Sequence, residues 1–389
     1  MSLSKFIKNN IPIKLQKQKL SEISKILLGK IVNQMELAVN SWKLNQTYRE
    51  HVLGPDEFPK GTDYEYIVEE VRNELDSKQK MGKMYSFVIG SRTFTIYAIY
   101  PYIGKPINIY PRIDAAIKKM YVWLFVANHF SESECSPHVS IYWYLTKHKK
   151  VLPREHEVID RVHVNTAFTM ACPLSANSIY IFREEEWFKV LVHESFHSLG
   201  LDFSRLSEDI ANKAMFSIFP VHCDLRFSES YTECWAQIIN VIFVSVSEYT
   251  SKESSIDILK LSQTIENKMN DEILFSLFQL SKILHHNKMT YTDLFVENSY
   301  KENSHVFSYY VLKSIFIYFY NEFIEWTTNN NRGTLTFKKT QQNVLSLVEF
   351  IKFRYRNNEY MRTLYVLEKT IHKLPDGPEM KTLRMSISE

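Results

Sequence analysis

Residues 187–201 read WFKVLVHESFHSLGL, and no other stretch limits the fold as strongly. Trp187, Phe188, Val190, Leu191, Val192, Phe196, Leu199 and Leu201 would surround most of a helix with apolar side chains, which predicts a helix buried on nearly every side. Within it, His193 and His197 stand at i and i+4, one turn apart on one face, with Glu194 beside them. Groups of this kind are costly to bury unless something pairs with them. Two readings are open. One is a hydrogen-bonded polar cluster inside the core. The other is a metal site in which both imidazoles bind one zinc ion and Glu194 activates the ion-bound water. The flanks support the helix. Glu184, Glu185 and Glu186 precede it, where negative charge suits a helix N-terminus, and Gly200 is placed for a left-handed C-terminal cap. Upstream, Ser178–Phe182 is rich in β-branched and aromatic residues and reads as a strand.

A zinc site needs at least a third protein ligand. Three carboxylates compete for the place. Asp202 follows the motif directly, but in the pattern H-E-x-x-H-x-x-G-x-x-H the third ligand would fall on Phe203, so Asp202 comes one residue early. Glu229 and Glu233 lie in the run SESYTECWA, again at i and i+4, on a helix expected from an N-cap at Ser228 to Val246. Two carboxylates on one face of an apolar helix repel each other unless a cation or a histidine lies opposite. The alternative is an ordinary acidic first turn.

With these two motifs the chain resembles the gluzincins, zinc peptidases in which H-E-x-x-H is followed by a glutamate ligand on a later helix. Glu233-Cys234-Trp235-Ala236 is similar to the N-E-G-F-A of zinc aminopeptidases, with cysteine in place of glycine, and this implies Glu233 as the ligand. Glu229-x-x-x-Glu233 is also similar to the E-x-x-x-D of thermolysin-like enzymes, which would imply Glu229. Glu233 is taken as the expected ligand, with Glu229 and Asp202 as alternative ligands or as partners that orient a histidine. The resemblance covers these motifs and not the rest of the chain, although the Lys-, Ile-, Asn- and Tyr-rich, glycine-poor style also resembles uncharacterised metallopeptidases of large DNA viruses. It implies a Zn2+ cofactor, a peptide or protein substrate, and amide hydrolysis with Glu194 as general base. It also implies a donor for the tetrahedral oxyanion, for which His305, Tyr309 and Tyr310 are the candidates. Substrate backbone would lie along an edge strand before the motif helix, expected at Val162–Met170 with Asn165 and Thr166. The competing class is a non-catalytic structural or virion protein on the same scaffold, against which the intact Glu194 argues.

The expected fold is α+β and zincin-like. It comprises an N-terminal helical region (1–80), an α/β part carrying the motif helix (81–205), a mostly helical part carrying the third ligand (206–375) and a mobile tail (376–389). A hairpin is expected over Met84–Tyr102, a turn at Leu53-Gly54-Pro55-Asp56, and a solvated turn at Lys147-His148-Lys149-Lys150. The net charge of +3 gives no electrostatic case for a nucleic-acid partner. The longest apolar runs, such as Ile238–Val246, are too short to span a bilayer. Cys135, Cys172, Cys223 and Cys234 are scattered and read as reduced thiols of a soluble, intracellular protein of the cytoplasm or a virion.

Overall fold

A computed structural model of the chain describes residues 3–44, 49–53, 58–77, 79–101, 110–251, 256–297 and 300–388. Its strands, in chain order, are β1 (Arg49–Leu53), β2 (Lys80–Ile89), β3 (Arg92–Pro101), β4 (His138–Tyr144), β5 (Ile159–Asp160), β6 (Ala167–Thr169), β7 (Asn177–Ile181) and β8 (Glu302–Asn303). Six of them form one mixed sheet in the order β1-β2-β3-β4-β7-β6. The β2–β3 hairpin turns at Gly90, whose φ of +60° suits glycine. Strands β3, β4 and β7 run parallel, and β6 returns antiparallel to β7 at the far edge. The chain is thus a mixed α/β protein, with the expected hairpin starting four residues early; Tyr102 and residues 54–56 of the expected turn lie outside the described residues.

Helices cover the sheet and continue beyond it. The helix Tyr110–Phe130 lies between the helix Glu22–Leu44 and the motif helix Trp187–Ser198, and Trp123 stacks on Phe196 with ring centroids 6.1 Å apart. The motif helix is buried along its whole length after Trp187, and Gly200 has φ +67°, as its capping role requires. One continuous apolar core runs from Phe6 to Met385. Among the described residues no helix is long and apolar enough to cross a membrane.

Several expectations are corrected. The region 1–80 is not wholly helical, because Arg49–Leu53 forms the edge strand β1, too short to show a periodicity. Val162–Met170 is not one strand. Asp160 caps a single helical turn, Arg161–Val164, through a reciprocal bond with His163, and the strand β6 follows only after it. The helix expected to begin at Ser228 begins at Phe227, and the Ser228 N–H and hydroxyl donate to Glu208 instead of capping. Cys135 and Cys172 are joined as a disulfide, directly behind Gly200, where a Cβ would lie 2.6 Å from Cys135 Sγ. Disulfides persist in oxidising surroundings, so cysteine usage gives no support for a reducing compartment.

The largest correction concerns the C-terminal segment. Residues 376–388 were expected to be mobile, yet Leu383, Met385 and Ser386 are buried. The segment opens with a short helix, Pro378–Lys381, and a bridge at which the Leu383 N–H donates to the Lys150 carbonyl, but beyond that its backbone polar groups need other partners. Buried side chains supply them. Glu186 accepts from the N–H groups of Met385 (3.0 Å) and Ser386 (2.7 Å). Glu272 accepts from Ile387 (3.1 Å) and Ser388 (2.9 Å), and Tyr310 donates to the Leu383 carbonyl at 2.5 Å. Glu186 is in turn paired with Lys150 at 2.6 Å, both side chains 1% exposed, so neither the basic run nor the acidic run is merely a solvated flank.

Candidate metal centre

The motif helix and the helix Phe227–Thr250 pack against each other, and each presents its i, i+4 polar pair to the other. The result is a closed set of donors. His193 Nε2 and His197 Nε2 are 3.1 Å apart, and Glu229 Oε2 lies 3.0 Å from the first and 3.4 Å from the second. An ion in tetrahedral coordination at about 2.0–2.1 Å would hold its ligand atoms roughly 3.3 Å apart, so these three atoms already stand close to the spacing a metal imposes.

The other ring nitrogens face carboxylates. His193 Nδ1–H donates to Glu233 Oε2 at 3.0 Å, and His197 Nδ1–H donates to Asp202 Oδ2 at 2.5 Å. These bonds place a proton on each Nδ1 and turn each Nε2 lone pair toward the centre, as partners of ligating histidines commonly do. Asp202 is itself held by Ser204 (3.0 Å) and Thr232 (3.3 Å). Lys189, one turn before His193, forms a buried ion pair with Glu233 Oε1. Three acceptors converging on one point in a buried site repel one another unless a cation joins them. The donor set therefore fits a divalent ion.

The atoms close enough to share one ion belong to His193, His197 and Glu229. Glu233, the ligand expected from the sequence, lies against the far nitrogen of His193, and Asp202 lies against that of His197. Phe203, where the alternative pattern would need a ligand, is buried against Phe227, Tyr231 and Phe337. Burial lowers the pKa of His193, but the Glu229 and Glu233 carboxylates outweigh it and push the pKa up to about 9. His197 is raised by Glu229 and Asp202 against the same penalty, and Glu229 is driven well below the ordinary carboxylate range despite its burial.

Glu194 is 7% exposed, and its carboxylate has no hydrogen-bond partner among the described residues. Burial raises its pKa, opposed by the two histidines. Of the three oxyanion candidates only Tyr309 reaches the centre. Its hydroxyl donates to Glu229 Oε2 at 3.1 Å. Tyr310 points the other way, to Leu383, and His305 donates to the Asp224 carbonyl at 2.9 Å beside the Tyr309 ring. Adjacent helical residues diverge by about a quarter turn, so Tyr309 and Tyr310 could not both face the centre. Tyr309 sits on a π-helical turn, Phe307–Leu312, a distortion often found at functional sites.

That turn is anchored by Glu302, which accepts from Tyr300 Oη and Phe307 N–H, both at 2.7 Å. Burial pushes the Glu302 carboxyl up to about 8. A folded-state pKa above the unfolded one gives stability that is complete below the unfolded value and is lost as pH rises through the folded value. Stability is therefore expected to decline between about pH 4.5 and 8, and Glu302→Gln should flatten that slope in urea unfolding measured across the range.

A cleft beside the centre is lined by Asn165, Thr166, Val190, Glu194, Tyr309 and Met385, with the edge of the sheet on one side. Asn165 and Thr166 line the cleft from the segment before β6 and not from a long strand. Sequence reasoning missed Lys189 and Met385. Lys189 had a signal, since positions 189, 193 and 197 form one polar stripe on an apolar helix. Met385 had none. A second cluster, Glu132 with Cys135 and Cys172, has its two thiols joined in the disulfide. The chain matches no protein-family model, no curated protein and no solved structure.

Proposed function

We propose that the chain is a zinc-dependent peptidase of zincin-like, gluzincin type, with His193, His197 and Glu229 as ligands. The observation that carries this reading is the convergence of three lone-pair donors at metal-like spacing, each histidine fixed from behind by its own carboxylate. A bound zinc ion would supply Lewis acidity and a water acidified toward neutrality. Glu194, unpartnered and raised in pKa, takes the proton of the attacking water and returns it to the leaving amine. Tyr309 offers its hydroxyl to the developing oxyanion once its bond to Glu229 is released. The backbone at Asn165–Ala167 lies where an extended peptide would run, and the proposed substrate is a peptide or protein.

One observation favours the non-catalytic alternative: the cavity beside the centre is only about 30 Å3. The test separates the two. Purified protein is expected to contain about one zinc per chain, and Glu194→Gln should keep the metal but lose hydrolysis of a peptide library, because an amide cannot act as the base. Metal without hydrolysis in the wild type would favour the structural reading, and equal hydrolysis by Glu194→Gln would overturn the role of Glu194.

A further inference from the structure

We propose that Met385 sets the size of the side chain the cleft accepts, and that the substrate presents a small, non-acidic residue there. This rests on the metal-centre reading above. The cavity beside His193 and Glu194 is about 30 Å3, a narrow recess that opens to solvent. Its walls differ in how far they can yield. Val190 stands on the motif helix, and Thr166 and Ala167 adjoin the sheet, where the Thr166 carbonyl accepts from Phe182 N–H at 3.0 Å. Lys189 is tied to Glu233, which holds His193. Met385 lines the cleft from a distant part of the chain.

Its backbone is fixed independently of its side chain. The N–H groups of Met385 and Ser386 both donate to Glu186, and the Met385 carbonyl accepts from Lys313 Nζ at 3.5 Å. The side chain therefore projects into the cleft from a clamped base, with its sulfur 3.8 Å from Lys189 Nζ. Methionine is unbranched and fills irregular space without specific bonds. Its three terminal heavy atoms are the part of the wall that can be removed with the least disturbance of the metal ligands.

Charge selects as well as size. Lys150 and Lys189 line the same cleft, but both are paired with buried carboxylates, Glu186 and Glu233. Neither lysine is left to recruit an acidic side chain, which would enter beside the Glu194 carboxylate without a partner. Glycine, alanine and serine meet both conditions.

The test reads binding rather than turnover. Full-length protein is loaded with Co2+, and its visible spectrum is titrated with acetohydroxamate and with a benzyl-bearing hydroxamate. The wild type should bind the small compound at least tenfold more tightly, since one methylene in a closed pocket is worth about 10–200-fold. Met385→Ala should remove most of that preference by gaining affinity for the large compound, with the small one little changed. Met385→Leu, similar in volume, should keep the wild-type order, and it carries the test if Met385→Ala fails to fold. Equal affinity of the wild type for both compounds, or an unchanged ratio in Met385→Ala, would overturn the inference. Peptide hydrolysis is measured alongside. Size discrimination without hydrolysis would refute the peptidase reading and leave the pocket assignment standing, whereas failure to bind cobalt would refute both.

Discussion

Glu229→Ala should lose its metal on dialysis against a mild chelator, whereas Glu233→Ala and Asp202→Ala should retain it more weakly. The difference follows from what each carboxylate touches. Glu229 Oε2 lies 3.0 and 3.4 Å from the two Nε2 atoms, so its removal leaves two imidazoles to hold the ion alone. Glu233 and Asp202 bind only the far nitrogens, and loss of such a partner typically costs about 10–100-fold in affinity. Metal content measured after dialysis orders the three variants. Retention in Glu229→Ala with loss in Glu233→Ala would reverse the assignment. Glu233→Ala should also be the less stable of these two variants, because it leaves the Lys189 ammonium buried and unpaired.

The largest loss of stability is expected from Glu186→Ala, about 3–5 kcal/mol, the usual cost of breaking a buried ion pair from one side. Glu186 holds Lys150 and two backbone N–H groups at once. Its removal strands a charge and two donors inside the core. Glu186→Gln should lose less, since it keeps an oxygen for the N–H groups. Chemical denaturation gives both values, and a change below about 1 kcal/mol in Glu186→Ala would show that the network is hydrated, since a surface pair is worth no more than that. Acid should act on the same group. Burial would raise the Glu186 carboxyl, but Lys150 and Lys189 outweigh it and hold it at about 2. A folded pKa below the unfolded one gives stability that is complete above the unfolded value near 4.5 and is lost as pH falls toward 2.

The motif helix could be read from the sequence because its apolar residues surround it, and a buried helix that carries His193, Glu194 and His197 announces a site. Glu229, Glu233 and Asp202 could be named for similar reasons. The choice among them could not be made. Glu229 and Glu233 lie one turn apart on the same face, so which of them meets the imidazoles depends on how far one helix is shifted along the other, which is a packing quantity. Lys150 illustrates a second limit. In its local run it looks solvated, and only the partner 36 residues away makes it a buried cation. Local composition is equally blind to the Cys135–Cys172 pairing. The segment ending at Ser388 is the extreme case, because its last residues are held by side chains from 72 to 200 residues away.

That separation bears on how the chain is made. Glu186 leaves the ribosome 199 and 200 residues before the two N–H groups it accepts from, and Glu272 leads its backbone partners by 115 and 116. At roughly 5–20 residues per second, Glu186 waits on the order of 10–40 s for these partners. During that interval water must serve the carboxylates, and the layer between the ligand helices and the later helices cannot close dry. Contacts so distant along the chain also slow folding, because the loop must be closed before they reward it. The Met385 wall of the cleft is therefore put in place after the motif helix it lies against.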